Sequence, residues 1–303
     1  MAMQALLIVN PVAGHGISRE RALKLKNALN TDDFKTDLMF TSKAENAAEL
    51  VVKNGSESDM VICCGGDGTL SETVGGIMRL KRRPKLAYLP NGTTNDFAKS
   101  IGLRSTLNVA ATDIINGNSM KLDTGLLNNR SFIYVASFGL MSKCSYNTPQ
   151  NLKRRFGRLA YIFRGLGDFI TTKPQHVKVT DENGKVYEDD YLFGCVSNSK
   201  SIGGIIHLDD TQVGFGDGKH EVILIKYPRS PLALKRIISA ARKRDYNNKY
   251  IQLFHTSSVT FESDKPMRWS LDGEPSENEK FFKAVTKPAA IDFVLQTPLN
   301  KVS

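Results

Sequence analysis

The chain has 303 residues, of which 41% are apolar and 24% charged, and its formal net charge is +10. This is the make-up of an ordinary globular protein with enough chain for two cores. It excludes a low-complexity chain, and without an apolar run of about 18 residues it excludes a membrane-spanning helix.

The apolar opening, residues 1–9, lacks the basic start and small-residue cleavage site of a signal peptide and runs straight into Asn10-Pro11, so it reads as a first strand. Residues 10–16 are a turn-rich loop, and Ser18 is a candidate N-cap for a helix. A second strand is expected over 35–40, followed by the hydroxyls of Thr41 and Ser42 and a helix over 44–52. Residues 60–64 make a third strand, which breaks into Gly65-Gly66-Asp67-Gly68, and Thr69 begins a helix running to about residue 80. After the basic turn 81–84, a fourth strand over 85–89 leads into Pro90-Asn91-Gly92-Thr93-Thr94-Asn95-Asp96-Phe97-Ala98. Strands alternating with helices at this spacing imply a doubly wound parallel α/β domain over residues 1–121. In such sheets the loops after the carboxyl ends of the strands build the ligand crevice, and four of those loops here carry Asn, Gly, Thr or Asp.

Beyond Lys121 the pattern changes. Strands are expected over 132–138, 176–180, 187–197, 221–226, 258–262 and 268–271, with a hairpin turn at Asp181-Glu182-Asn183-Gly184. Two basic helices interrupt them, over 152–169 (Lys153, Arg154, Arg155, Arg158, Arg164) and 232–244 (Lys235, Arg236, Arg242, Lys243, Arg244). Residues 122–303 thus read as a β-sandwich domain with basic helical insertions, its C-terminal tail free to pack back on the first domain.

The break at Gly65 carries the chemistry. A strand that turns through glycines and restarts as a helix leaves backbone N–H groups pointing out of the turn, and the positive end of the helix dipole adds to them. That is a phosphate site, yet Asp67 sits inside it, where a carboxylate would repel a bare phosphate. A Mg²⁺ between them removes the conflict, as in a nucleotide triphosphate site. The P-loop pattern and the protein-kinase motifs are absent. The four cysteines, Cys63, Cys64, Cys144 and Cys195, have no CxxC spacing, and the five histidines form no HExxH. A reducing cytoplasm is expected, and a zinc site is not.

Three motifs in order, Asn10-Pro11-x-x-Gly14, Gly65-Gly66-Asp67-Gly68-Thr69 and Pro90 to Ala98, resemble the diacylglycerol kinase catalytic family, which includes soluble bacterial lipid kinases and sphingosine and ceramide kinases. The likeness continues to Leu271-Asp272-Gly273-Glu274. It implies an N-terminal domain like those of NAD kinases and phosphofructokinases, a C-terminal β-sandwich and a nucleotide cleft between them. It places ATP contacts at Asn10, Pro11, Val12, Ala13, Gly14, Thr41, Gly66, Asp67, Gly68, Thr69, Leu70, Ser71, Glu72 and Thr93. Asp67 and Asp96 could hold Mg²⁺ through water, and Asp96 could also cap the helix that follows it. Either Asp272 or Glu274 is the general base that takes the proton from a lipid hydroxyl. Gly214-Phe215-Gly216-Asp217-Gly218-Lys219 is similar to the family's metal loop, which puts a structural Mg²⁺ at Gly214, Asp217 and Lys219. Thr211-Gln212-Val213 departs from the usual Pro-x-Ala before that loop.

Up to Lys121 there are 15 basic and 12 acidic residues, and beyond it 26 and 19, so the second half carries most of the excess charge. A lipid acceptor dissolved in a bilayer gives that charge a use, docking the protein peripherally on the anionic cytoplasmic leaflet. The basic runs lack the aromatic interleaving expected of a nucleic-acid surface. The implied activity is ATP- and Mg²⁺-dependent phosphorylation of diacylglycerol to phosphatidic acid. The alternatives are another lipid alcohol such as sphingosine, ceramide, undecaprenol or monoacylglycerol, then NAD, then a silent lipid-binding protein. Members of the family often form dimers, so a homodimer is part of the expectation.

Overall fold

The computed structural model describes residues 2–14, 16–43, 46–103, 107–139, 173–202, 206–209 and 212–295. It divides into two compact units, Met1–Leu122 with Ala289–Ser303, and Asp123–Pro288. The basic helix expected over 152–169 and Cys144 lie outside the described residues.

The first unit runs β1 (Met3–Val9), α1 (Arg19–Leu29), β2 (Phe34–Phe40), α2 (Asn46–Asn54), a 3-10 turn (Gly55–Glu57), β3 (Met60–Gly65), α3 (Asp67–Met78), β4 (Lys85–Pro90), α4 (Asp96–Ser100) and α5 (Leu107–Ile115). Strand β5 (Ser119–Leu127) then carries the chain into the second unit. Strand β1 lies between β2 and β3 in parallel, and β3 pairs in parallel with β4. The apolar run of β1 follows from this position. Leu7 and Val9 join a core with Leu25 and Leu29 of α1 and Ile114 of α5, while Leu6 and Ile8, on the opposite face by strand alternation, are also fully buried. Ser18 caps α1, its hydroxyl accepting from Arg21 N.

Helix α3 begins at Asp67, two residues before the expected Thr69. Gly66 is extended (φ −92°, ψ −176°) and serves as N-cap, its carbonyl already accepting from Leu70 N. The cap of α4 is likewise displaced from Asp96 to Asn95, which adopts the left-handed conformation (φ 50°) and binds Gly92 rather than the helix. Asp96 is instead the first helical residue.

The second unit is β-rich. It runs β6 (Arg130–Phe132), β7 (Val135–Gly139), β8 (Gln175–Asp181), β9 (Val186–Ser197), β10 (Ser201–Ile202), β11 (Ile206–His207), β12 (His220–Lys226), α6 (Pro231–Lys243), β13 (Ile251–Thr256), β14 (Ser258–Met267), β15 (Trp269–Leu271), β16 (Glu274–Pro275) and β17 (Glu279–Val294), whose last residues belong to the first unit. Its strands pair antiparallel in the order β16-β15-β7-β9-β8-β14-β17. The long strand β9 changes partners along its length: its first half pairs with β8, and its second half pairs with β7 and also with β12. Such a switch is how one strand serves two layers. Trp269 anchors the core, with ring centroids 4.9 Å from Phe138, 4.7 Å from Phe261 and 5.5 Å from Phe282. Each such aromatic pair contributes about 1 kcal/mol beyond its buried area. The strand expected over 132–138 is broken at Ile133 and Tyr134, because their N–H groups turn to a side chain described below.

Candidate active site

In the first unit the ends of the strands are tied to one another by their backbones. Thr41 N donates to Val9 O, Asn10 N to Cys64 O (both 2.9 Å) and Asn91 N to Gly65 O (2.7 Å). The loops after β1, β2, β3 and β4 therefore leave one edge of the parallel sheet, where ligands bind in this class of fold. Three of these loops touch. A Cβ added to Gly92 would lie 2.6 Å from Gly66 Cα, and one on Gly14, at φ +60°, would lie 2.3 Å from Asn91 O. Glycine is required at both positions because backbone packs on backbone. Asn10 adds a side-chain tie, its Nδ2 donating to Thr69 Oγ1 (2.9 Å). Buried Tyr88 donates from below to Gly65 O (3.2 Å), and burial raises its phenol pKa, so it remains a neutral donor.

Asp67 opens α3 and reaches across to the next loop. Its carboxylate accepts from Asp96 N (3.0 Å) and Phe97 N (3.3 Å), the first N–H groups of α4. A side chain from a distant loop thus does the capping that a local residue usually does. A carboxylate accepts at up to about four lone-pair sites, and these two bonds fix the direction in which Asp67 faces. Gly68, next in the helix, has among the described residues no atom beyond its own helix backbone and chain neighbours within 4 Å of where its Cβ would be. The other expected contacts spread outward. Val12 is 82% exposed, Thr93 is exposed, and Thr69 and Thr41 are buried. The Leu70 side chain points into the core, which leaves only its backbone for a ligand. Glu72 turns to α2, accepting from Ala47 N (3.1 Å).

In the second unit, Asp272 and Gly273 form a two-residue hairpin turn between β15 and β16, with φ of +48° and +101°. Positive φ at both positions is the reason Asp-Gly marks such turns. The Asp272 carboxylate folds back and accepts three backbone N–H groups, Ile133 at Oδ2 and Tyr134 and Val135 at Oδ1, all at 2.9 Å. These bonds interrupt the strand at Ile133. Glu274, two residues on, is exposed, and among the described residues its carboxylate has no hydrogen bond or ion pair.

A hydrogen-bonded chain continues from this turn. Tyr134 O accepts from Asn198 N (3.1 Å), and Asn198 Nδ2 donates to Asp123 O (3.1 Å) and, at 3.5 Å, to Phe215 O. Asp123 N also donates to Phe215 O (2.7 Å), and Asp123 Oδ2 accepts from Gly218 N (2.6 Å). The loop from Gly214 to Lys219 is therefore bonded to the Asp272 turn through Asp123 and Asn198. Sequence reasoning passed over both residues, although Ser197-Asn198-Ser199, a polar run ending an apolar strand, was the available signal.

The loop from Gly214 to Lys219 has two features that bear on whether it could hold a cation. Asp217 accepts from Lys219 N (2.9 Å) and folds over Gly214, where an added Cβ would lie 2.4 Å from Oδ2. Glu221 is fully buried, and among the described residues neither carboxylate oxygen has a hydrogen bond. Burial pushes its pKa up to about 8, helped by the nearby Asp217 carboxylate and opposed by its own backbone N–H and those of Ser199 and Gly214. A buried carboxyl short of partners is where a cation or ordered water is expected. The described residues hold no group of three or more His, Cys, Asp or Glu side chains able to bind a metal, so a cation here would depend on backbone carbonyls.

A parallel α/β unit in which a glycine turn feeds a helix, with an acid beside that turn, is the arrangement expected of a phosphate-handling protein, and comparisons with known proteins give its class as a kinase. The diacylglycerol kinase catalytic domain family matches residues 4–127. The chain is 31% identical over 285 residues to a diacylglycerol kinase of Staphylococcus epidermidis, spanning 90% of this chain and 86% of that one. It is 29% identical over 273 residues to a diacylglycerol kinase of Bacillus subtilis, spanning 89% of each. A crystal structure from Bacillus anthracis superposes with a TM-score of 0.80 at 26% identity over 97% of both chains. The chain belongs to the diacylglycerol kinase family.

Proposed function

We propose that the protein transfers the terminal phosphoryl group of ATP to the hydroxyl of diacylglycerol, giving phosphatidic acid and ADP. Glu274 is the general base: the lipid oxygen attacks the γ-phosphorus, its proton passes to the Glu274 carboxylate, and the bond from that phosphorus to the bridging oxygen of ADP breaks. The observation that carries this assignment is the contrast at one turn. Asp272 is occupied by three backbone N–H groups, which leave it little capacity to accept a substrate proton, whereas Glu274 is exposed.

The N–H groups of Gly66, Gly68 and Thr69 and the hydroxyls of Thr69 and Thr93 bind the phosphates, with Asn10, Pro11, Val12, Ala13 and Gly14 closing the site on one side. The open space at Gly68 supports this reading, because none of the described residues demands glycine there. Mg²⁺, when bound, spreads the charge of the triphosphate. Asp67 and Asp96 would hold it through water, and carbonyls of Gly214, Asp217 and Lys219 would hold a structural ion backed by Glu221. The enzyme works peripherally at the cytoplasmic face of the membrane, since its acceptor is dissolved there.

The test is transfer from radiolabelled ATP to diacylglycerol, ceramide, sphingosine, monoacylglycerol and undecaprenol in mixed micelles, with NAD as a soluble control. Label is expected in phosphatidic acid. Label in NAD and in no lipid ends the proposal.

A further inference from the structure

Helix α6 starts at the cap Ser230, whose hydroxyl accepts from Ala233 N (3.2 Å), followed by Pro231 in the first turn. Ala233 and Ile237 are buried, and Ile237 packs in a core with Phe193, Ile223 and Leu253. At 100° per residue, Lys235 and Arg242 fall opposite Ala233 and Ile237, Ser239 lies beside Lys235 and Arg242, and Arg236 and Lys243 lie on the adjoining flank, and all five are exposed. Leu232, 58% exposed, and Ile238, 38% exposed, flank Lys235 on its two sides. No acidic residue lies in the helix.

The surrounding cations differ from these four. Lys226 pairs with Asp189 (2.6 Å), Arg229 with Asp190 (2.7 Å) and Arg244 with Asp209. Lys235, Arg236, Arg242 and Lys243 have no ion pair among the described residues. A face combining unpaired cations with exposed aliphatic side chains matches a surface that is anionic outside and apolar just beneath. A second copy of the helix does not match it, since a two-fold contact would set four cations against four more.

We infer that the outer face of α6 seats the protein on an anionic lipid bilayer, with Lys235, Arg236, Arg242 and Lys243 at the headgroups and Leu232 and Ile238 entering the interface. This rests on the lipid-kinase reading for its purpose, though not for its physics.

The test is co-sedimentation of the full chain with vesicles of phosphatidylcholine, alone or mixed equally with phosphatidylglycerol. The wild type binds the mixed vesicles and not the neutral ones, and rising salt weakens binding. The variant K235A/R236A/R242A/K243A binds several-hundred-fold more weakly, at about fivefold per cation. L232S loses about tenfold at every salt concentration. A quadruple variant that sediments like the wild type overturns the inference, as does one whose oligomeric mass changes in light scattering, which would make α6 a contact between copies. Short-chain diacylglycerol in neutral detergent micelles separates this from catalysis, and the quadruple variant keeps the wild-type rate there. If the wild type phosphorylates no diacylglycerol yet binds vesicles as described, the catalytic reading fails and the docking face stands.

Discussion

Asp67 in the first unit and Asp272 in the second sit in similar local sequence, each next to a glycine at the end of a strand, and the fold uses them differently. Asp67 accepts two N–H groups from the start of α4 and stays half-buried beside the open space at Gly68. Asp272 accepts three, in a turn with positive φ at both of its residues. The first acid ties two loops together, while the second is held by three N–H groups beside an exposed Glu274, the contrast on which the proposed base assignment rests. Whether an acid is available for chemistry depends on its neighbours in space rather than on the motif that contains it.

Breaking the first side of this comparison has the largest effect. Asp67→Ala is expected to lower kcat on the order of a thousandfold. It also removes the cap of α4, at about 1–2 kcal/mol, which a thermal melt would register. Asp67→Asn should restore much of the melt and none of the activity. Wild-type turnover in either variant contradicts the role given to Asp67. On the other side, Asp272→Ala leaves three N–H groups without their acceptor and should cost about 3 kcal/mol in urea unfolding. A loss under about 0.5 kcal/mol would mean the turn does not depend on them.

Two glycines sharpen the contrast between what the protein needs and what a ligand needs. Gly92→Ala forces a methyl group against Gly66 and should cost about 1–3 kcal/mol. Gly68→Ala meets no atom of the described residues beyond its own helix backbone and chain neighbours, so stability should hold or rise by up to about 1 kcal/mol while ATP binding, read by calorimetry, weakens. The smallest effect concerns the adjacent cysteines of β3. Burial pushes the Cys64 thiol up to about 12 and raises those of Cys63 and Cys195 as well. Alkylation of the native protein should therefore spare all three, and labelling of Cys63 would contradict its burial.

The first unit was more legible in the sequence than the second, for a physical reason. Its site is built from contiguous loops at the ends of alternating strands and helices, so Asn10, Gly14, Gly65 to Thr69 and Asn91 to Asp96 announce themselves by spacing. The cap of α4 was the exception, because Asp67 supplies it from 29 positions away. In the second unit the Asp272 turn is tied to Ile133, Tyr134 and Val135, and from there through Asn198 to Asp123 and the loop at Gly218. No periodicity links such distant positions, so the sequence left Asp272 and Glu274 equal. It also gave no sign that a strand would break at Ile133 to serve a carboxylate more than a hundred residues later.

The most direct test measures single-turnover phosphoryl transfer from ATP to diacylglycerol by the wild type, Glu274→Gln and Asp272→Asn, each at a temperature where its melt shows it folded. The wild type should form phosphatidic acid, Glu274→Gln should slow the transfer by roughly a hundredfold or more, and Asp272→Asn should retain most of the rate. Full activity in Glu274→Gln with loss in a folded Asp272→Asn would reverse the assignment.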